Sequence, residues 1–286
     1  MFSNEFVSPS PGFTGAAAER LIGCPRLLRA RRAVLGRLPF MTLASDVVDI
    51  VYCTWTVDLA RIEASRLVPP GVELVQRDGK TLFTILTYAH RHFGPALAGP
   101  LRRLFPSPLQ SNWRFYVERF GGTRAPEPTV LFVKNVVDQA IYAIGSRVFS
   151  DALPSHLAQR FEHRAHAGGY STLITGGRGS APGFQCDAQR TTARVVLPDL
   201  AAFFGSWDDA VAQLSLQDAA LSHVEDCARL AHARIDLPID PHSAVPLHVP
   251  PAAASGAFLD GIGATGAPFC FVIPGAPFRV ISERLI

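Results

Sequence analysis

Apolar and polar residues alternate with a period of two along much of this chain. In the clearest stretch every second residue is apolar: Val51, Cys53, Trp55 and Val57. This period places the apolar side chains on one face of a β-strand. Comparable patterns predict strands at 73–76, 81–89, 112–120, 157–166, 170–175 and 184–197, and the continuous apolar run 129–133 predicts a central strand. The Asp78-Gly79 pair, which lies between two of these segments, is typical of a hairpin turn.

Helical spacing is limited to a few segments. Residues 59–67 predict a short helix, and residues 140–149 fit a helix or a strand equally well. The longest predicted helix begins after Ser206, a residue type that caps helix N-termini. Its apolar stripe consists of Ala210, Val211 and Leu214 and continues to Leu221 and Val224, unless the helix breaks near residues 215–217.

The order of these elements predicts one fold class. Many short strands, few helices and no regular alternation between them indicate a single β-dominated α+β domain at residues 41–286. Residues 1–40 are predicted to form a separate N-terminal basic arm. From about residue 237 the chain is rich in proline, which cannot donate a backbone hydrogen bond. We therefore expect this tail, including residues 269–273, to wrap around the domain or to pair at a sheet edge.

Composition excludes several classes of protein. Of 286 residues, 48% are hydrophobic and 18% are charged, which excludes a disordered chain. No run approaches the roughly 20 apolar residues of a membrane span, and a net charge of +3 is too small to indicate nucleic-acid binding. The N-terminus lacks the pattern of a secretory signal, so we expect a cytoplasmic protein. Neither a CxxC nor an HExxH motif is present, so we expect no metal site.

The arm combines six arginines with leucines and valines at helical spacing. The arginines are Arg20, Arg26, Arg29, Arg31, Arg32 and Arg37. A basic amphipathic helix can contact a membrane surface or an anionic partner, which would make the protein an interaction module. The alternative is a helix that packs on the domain with its basic face solvated. Pro25 and Gly36 favour this alternative because they keep the helix short.

The most informative segment carries polar residues at every second position: Gln110, Asn112, Arg114 and Tyr116. On a strand these four side chains share one face, which is either the solvent face of a sheet or the lining of a barrel. The absence of Lys, Glu and Asp before Glu118 is unusual for open solvent. If the face lines a cavity, Arg114 can pair with a carboxylate through its planar guanidinium group.

Several short motifs follow one another in an order that resembles a known family. They occupy residues 55–58, 67–71, 77–80 and 110–117, followed by Gly145-Ser146-Arg147 and Leu153-Pro154. Together they resemble the YqjF-like domain of unknown function, a branch of the acetoacetate decarboxylase-like superfamily, over about residues 50–235. The resemblance implies a cone-like antiparallel β-barrel or double sheet with a few peripheral helices. It also implies that the barrel encloses one small-molecule pocket.

The resemblance places the covalent chemistry of the superfamily in doubt. In its decarboxylase branch a lysine follows the proline of the segment that matches Arg147 to Pro154, and this lysine forms a Schiff base with the substrate. In this sequence Ser155 and His156 stand at the matching positions. The only lysines are Lys80 and Lys134, so we expect no amine at this place and no true acetoacetate decarboxylase activity.

Two further positions compare with the family. Related members often carry a glutamate where this sequence has Gln110, so the acid is also missing. Arg147 matches the arginine of the decarboxylase branch, and Arg114 matches the arginine of the YqjF-like branch.

Two functions remain open. The first is the binding of a small anionic molecule that bears a carbonyl or carboxylate group, without a cofactor. Its expected ligand-binding residues are Gln110, Asn112, Arg114, Tyr116, Arg147 and Ser155. The second is a lyase, hydratase, isomerase or cyclase without covalent catalysis, in which His156 acts as the catalytic acid and base beside Arg114 and Arg147. Analogy with other folds of this kind makes a homodimer a reasonable expectation for either function.

Overall fold

The computed structural model describes residues 4–250 and 252–286. Residues 1–3 of the predicted arm and Pro251 of the predicted tail lie outside the described residues. The strands are β1 (Leu43–Asp58), β2 (Val72–Leu74), β3 (Gln76–Arg77), β4 (Lys80–Pro95), β5 (Leu109–Phe120), β6 (Thr123–Val137), β7 (Ser155–Leu157), β8 (Arg160–His166), β9 (Gly169–Thr175), β10 (Phe184–Arg190), β11 (Ala219–Val224), β12 (Arg229–Asp236), β13 (Val245–His248), β14 (Ala254–Ser255) and β15 (Phe269–Leu285). The α-helices are α1 (Phe13–Ile22), α2 (Pro25–Leu35), α3 (Leu59–Ser65), α4 (Ala140–Phe149), α5 (Trp207–Ser215) and α6 (Ala257–Ile262).

The strands form one sheet in the order β1-β4-β5-β6-β11-β12-β15-β13-β10-β9-β8. Because β15 also pairs with β1, the first seven strands of this order close into a ring. The ring is not a regular barrel: β6 and β11 are parallel, whereas its other neighbours are antiparallel. This architecture confirms the predicted β-dominated α+β fold with peripheral helices.

Strand β5 is buried on both faces. Trp113 and Phe115 belong to one apolar core, which β1, β4 and β6 share with β8 to β10 and α6. Tyr116 belongs to a second core, and every strand of the ring contributes to that core together with α5. The second core therefore lies inside the ring. The alternate positions of β5, including Arg114, face it, so the polar line does not face solvent.

Several local predictions are confirmed. Asp78 and Gly79 have φ angles of 49° and 73°, as a tight turn between β3 and β4 requires. The carboxylate of Asp58 accepts from the backbone N–H of Ala60 at 2.9 Å and so caps α3. The ambiguous residues 140–149 form helix α4.

The predicted helix after Ser206 ends at Ser215, which confirms the alternative in which it breaks near residues 215–217. The Ser206 hydroxyl does cap α5 by accepting from the Asp209 backbone N–H at 3.1 Å. However, Leu221 and Val224 lie on β11, which pairs with β6 on one side and with β12 on the other. The backbone N–H and C=O groups of β11 form hydrogen bonds to these two strands. They are therefore not available for the hydrogen bonds within a longer helix.

Two further predictions need correction. The predicted strand 184–197 ends at Arg190, the last residue that pairs with β13. The predicted edge position of the tail is wrong for residues 269–273, which pair with β1 on one side and β13 on the other. The physical reason is that this stretch contains no proline, so its backbone can donate on both sides.

The N-terminal arm packs on the domain. Arg31 of α2 forms an ion pair with Asp151, and Arg32 bridges Asp151 and Asp226 at 2.9 and 2.6 Å. Two of the six arginines of the arm are therefore used within the chain. None of the described helices is long and apolar enough to cross a membrane.

Candidate functional site

The polar residues of β5 form a connected network inside the ring. Gln110 accepts a hydrogen bond at Oε1 from His90 Nε2 at 2.6 Å, and its Nε2 donates to Asn112 Oδ1 at 3.0 Å and to Asn135 Oδ1 at 2.8 Å. Asn112 in turn donates to the Tyr88 hydroxyl at 2.9 Å. Burial lowers the pKa of His90 to about 4, so this imidazole is neutral at physiological pH. The network thus fixes the side chains of β5 without placing a negative charge among them.

Arg114 is the one charged side chain of this polar line. Its Nη2 donates to the backbone carbonyl of Leu214 at 2.9 Å, and the Tyr116 hydroxyl donates to the same carbonyl at 3.2 Å. Leu214 lies in the last turn of α5, where carbonyl groups lack helical partners and carry partial negative charge. The guanidinium carbon also lies 5.5 Å from the ring centroid of Tyr52 and 5.6 Å from that of Tyr116.

A cavity of about 30 Å³ lies beside Arg114, and we call it the inner chamber. Its lining is mostly apolar: Val47, Ile50, Leu86, Tyr88, Asn112, Arg114, Val130, Phe132, Gln217, Ile235, Leu237 and Phe278. Free space of this size holds about two water molecules. Among the residues described, no carboxylate forms an ion pair with Arg114.

Two buried polar atoms beside the inner chamber have no hydrogen-bond partner in the described part of the chain. They are Nε of Arg114, which lines the chamber, and the hydroxyl of Tyr52, which lies behind Arg114 and interacts with it but does not line the chamber. Burial raises the pKa of Tyr52 to about 12, so this hydroxyl keeps its proton. Since buried polar groups in folded proteins are nearly always paired, the unpaired Nε of Arg114 in the lining of a cavity indicates a place for an acceptor.

A larger and more open groove, of about 160 Å³, lies between Trp207 and Pro268. Apart from Thr191 and His248 its lining side chains are apolar. The groove therefore lacks a buried charge that could fix an anionic ligand, which the inner chamber has in Arg114.

The predicted residues Ser155 and His156 lie on β7 and point to opposite faces of the sheet. Parallel pairing sets Ser155 beside Asn135 and His156 beside Val136. The Ser155 hydroxyl accepts from Asn135 Nδ2 at 2.5 Å and from the Ser146 hydroxyl at 2.7 Å, so it extends the network of Gln110. His156 lies on the same face as Val136, outside the ring.

The expectation that no amine lies at this place is wrong. Nζ of Lys134 lies 3.4 Å from Nε2 of His156, because residues 134 and 156 come together where β6 pairs with β7. The charge of Arg147 acts on both groups. Arg147 itself donates from Nε to the Ser155 carbonyl at 2.6 Å and from Nη2 to the Asn4 carbonyl at 2.8 Å. We call Lys134, Arg147 and His156 the outer cluster.

The electrostatics of the outer cluster disfavour positive charge. Burial, together with the charge of Arg147, lowers the pKa of Lys134 to about 8. Burial, with Lys134 and Arg147 nearby, holds the pKa of His156 well below its ordinary value. Burial also lowers the pKa of Arg147 to about 10. The imidazole is therefore neutral, and the amine loses its proton more readily than an exposed lysine does.

The contacts divide the predicted site residues into two groups. Gln110, Asn112, Arg114, Tyr116 and Ser155 belong to the inside of the ring, whereas Arg147 and His156 belong to the outer cluster. The register explains the division, because Lys134 pairs with Trp113 and Phe132 pairs with Arg114 across a β-bulge. Arg114 and His156 thus face opposite sides of the sheet.

Sequence reasoning missed three residues that matter here. Tyr52 alternates with the apolar residues Val51 and Cys53, and its own face of β1 is buried inside the ring, which the alternation does not predict. Leu214 contributes a backbone carbonyl, which no sequence pattern reveals. Lys134 carried a signal that could have been used: it is one of two lysines in the chain, and it follows the apolar run of residues 129–133.

The residues that the structure describes include no group of three or more His, Cys, Asp or Glu side chains placed to hold a metal ion.

Solved structures of acetoacetate decarboxylase-like proteins share this fold. An acetoacetate decarboxylase aligns with a TM-score of 0.55 and 12% identity over 87% of this chain and 90% of that chain. The enduracididine biosynthesis enzyme MppR, solved in complex with pyruvate, aligns with a TM-score of 0.53 and 14% identity over 87% and 91%. An acetoacetate decarboxylase-like enzyme from Sphingomonas wittichii RW1 aligns with a TM-score of 0.52 and 10% identity over 87% and 94%. The chain therefore has the acetoacetate decarboxylase-like fold.

Within that class the chain belongs to DUF2071, a family described as an uncharacterized conserved protein (COG2071). The family model matches residues 46–202, more than half of the chain. This match confirms the resemblance to a family of unknown function. The sequence matches no curated protein.

Proposed function

We propose that this protein binds a small anionic molecule, bearing a carboxylate or carbonyl group, in the inner chamber. The observation that carries the proposal is Arg114: a buried guanidinium with an unpartnered Nε and no carboxylate ion pair among the described residues. A buried charge without a counter-charge costs several kcal/mol. A protein retains such a group when a ligand provides the counter-charge.

The chemistry of the chamber favours an acid with an apolar body. Arg114 offers hydrogen-bond donors to an oxygen acceptor, and an arginine–carboxylate pair is among the strongest of such contacts. The rest of the lining is largely aliphatic or aromatic. The complex of MppR with pyruvate, a small keto acid, supports the same ligand class by analogy of fold.

The ligand must displace side chains in order to enter. Pyruvate is larger than the two water molecules that the chamber holds. Ile235, Leu237 and Phe278 are the partly exposed members of the lining. Because β12 and β15 are hydrogen-bonded to each other, we place the entrance at the end of β12, where Leu237 follows the strand. Movement of these side chains enlarges the chamber, and movement of Phe278 also changes its ring contact with His90, whose ring centroid lies 5.7 Å away.

A second candidate function rests on the outer cluster. The contact of 3.4 Å between Lys134 Nζ and His156 Nε2 places an amine with a pKa of about 8 beside a neutral imidazole, so the amine can lose its proton at mildly alkaline pH. This supports a lyase or isomerase activity that uses His156 with Arg147, on the opposite side of the sheet from Arg114. It is the weaker candidate, because Asn4 covers the cluster through contacts with Lys134 and Arg147.

Mass spectrometry of small molecules released from the purified full-length protein tests the first candidate. The wild type should release an anionic compound that is missing from preparations of Arg114→Met. Replacement of the exposed arginine on the same strand, Arg119→Met, is the matched control and should leave the compound in place. A compound that is retained by Arg114→Met, or that carries no acid group, would contradict the proposal.

A further inference from the structure

A cluster of apolar side chains is exposed at one corner of the fold, and we call it the apolar corner. Two segments meet there, because the Ala96 backbone N–H donates to the Thr42 carbonyl at 2.8 Å and Leu43 pairs with Pro95. The exposed members are Leu38, Phe40, Met41, Leu97, Leu101, Leu104 and Phe105. Large contiguous apolar patches on a soluble domain usually mark an interaction surface.

Three leucines protrude furthest from this corner. Leu97, Leu101 and Leu104 are 93%, 65% and 81% exposed. They lie in the 3₁₀-helical segment Ala96–Leu104, in which Leu101 and Leu104 are three residues apart and so share one face. Side chains that are this exposed project outward and line no groove. Protruding side chains of this kind fit a deformable surface into which they can insert better than a rigid one.

The corner is also basic. Residues 37–45 and 90–110 contain the arginines Arg37, Arg91, Arg102 and Arg103 and no acidic residue. The one described ion pair among them joins Arg102 to Asp46 at 3.7 Å. Exposed leucines flanked by arginines are the composition of segments that lie at the interface of an anionic membrane.

A second copy of the chain fits this surface less well. A twofold interface brings the same patch of both protomers together. The arginines of one protomer would then face those of the other, and the described ion pairs give only Arg102 an acidic partner, Asp46. Anionic lipid headgroups provide the complementary charge instead.

We propose that the apolar corner docks the protein on an anionic lipid bilayer, with Leu97, Leu101 and Leu104 inserted among the headgroups. The helices of the arm are not needed for this contact, since Arg31 and Arg32 are engaged within the chain. The proposal is independent of the inner chamber.

Sedimentation with vesicles tests the proposal on the full chain. The wild type should bind vesicles of phosphatidylcholine mixed with phosphatidylglycerol and should bind pure phosphatidylcholine much more weakly. The triple variant Leu97→Ser/Leu101→Ser/Leu104→Ser should lose at least about tenfold in partition coefficient, because burial of each leucine contributes to binding. Arg103→Gln should lose about fivefold on the anionic vesicles alone.

Matched variants make the test decisive. Val195→Ser alters an exposed apolar residue on a distant loop and should bind like the wild type. Thermal unfolding should be unchanged in all variants, since each replaces an exposed side chain. Unchanged binding by the triple variant would overturn the proposal. So would binding that depends on the arm residues Leu27 and Val34, or a wild-type dimer that the triple variant dissolves in light scattering.

Discussion

Arg114 donates from Nη2 to the backbone carbonyl of Leu214 at 2.9 Å, which ties the middle of β5 to the last turn of α5. The carbonyl partly offsets the buried charge and holds the guanidinium group in place before any ligand arrives. A donor that is already oriented loses little conformational freedom on binding, which favours affinity. Nε remains without a partner beside the inner chamber.

Replacement of Arg114 by methionine should separate stability from binding. In Arg114→Met, the free energy of unfolding without ligand should be equal to or higher than that of the wild type, because the variant no longer buries an uncompensated charge. The Leu214 carbonyl keeps its hydrogen bond from Tyr116. Urea denaturation measures the difference. Destabilisation by more than about 2 kcal/mol would instead assign Arg114 a structural role.

Two tyrosines that face the same interior should respond in opposite directions. Tyr52→Phe removes an unpartnered buried hydroxyl, keeps the ring stacked on Phe271, and should stabilise the fold by about 1 kcal/mol. Tyr88→Phe removes the acceptor of Asn112 Nδ2 and should destabilise it by about 1–3 kcal/mol. Thermal or urea unfolding of both variants checks the prediction. Equal effects would mean that Tyr52 has a partner inside the protein.

His90 should make the fold sensitive to acid. The pKa of His90 is about 4 in the folded state and 6.5 in the unfolded chain. Between pH 4 and pH 6.5 the unfolded chain therefore binds one more proton than the folded protein. Stability falls as the pH is lowered through this range. The expected loss is about 3 kcal/mol. His90→Gln keeps a neutral donor for Gln110 and should flatten this part of the pH profile of urea denaturation. A variant that follows the wild-type profile would contradict the assigned pKa.

Lys134 should make stability rise with pH in the same way at alkaline pH, because folding lowers its pKa as well. With a folded pKa of about 8 against 10.5 ordinarily, the unfolded chain binds more protons between pH 8 and 10.5. The wild type should therefore gain up to about 3 kcal/mol of stability over that window. Lys134→Met should lack the gain. Lys80→Met, at an exposed turn, serves as the control and should keep the wild-type slope.

The sequence allowed the local part of the fold to be predicted. The alternation in β1 and β5 and the Asp-Gly turn are short-range patterns, and each strand or turn was found where its pattern lies. The pattern also placed Gln110, Asn112, Arg114 and Tyr116 on one face. The pattern could not show whether that face is exposed to solvent or buried inside the ring. The difference depends on ring closure through β15, which lies more than 150 residues further along the chain.

One open alternative and one wrong prediction have the same origin in long-range pairing. Leu221 and Val224 fit a helical stripe as well as a strand, and only their pairing with β6 and β12 selects the strand. Lys134 and His156 are 22 residues apart and meet only through the parallel pairing of β6 with β7. No periodicity within either segment encodes that meeting.

The most direct test is calorimetric titration of the full-length protein with small acids, from acetate and pyruvate to phenylpyruvate, each beside its neutral amide. At least one acid should bind the wild type and Arg119→Met, and its amide should bind much more weakly. Arg114→Met should bind the same acid at least about tenfold more weakly, since a charge-assisted hydrogen bond contributes about 1.5–3 kcal/mol. Equal affinity of Arg114→Met and the wild type for the acid would contradict a carboxylate anchored at Arg114, as would the absence of binding across the whole series.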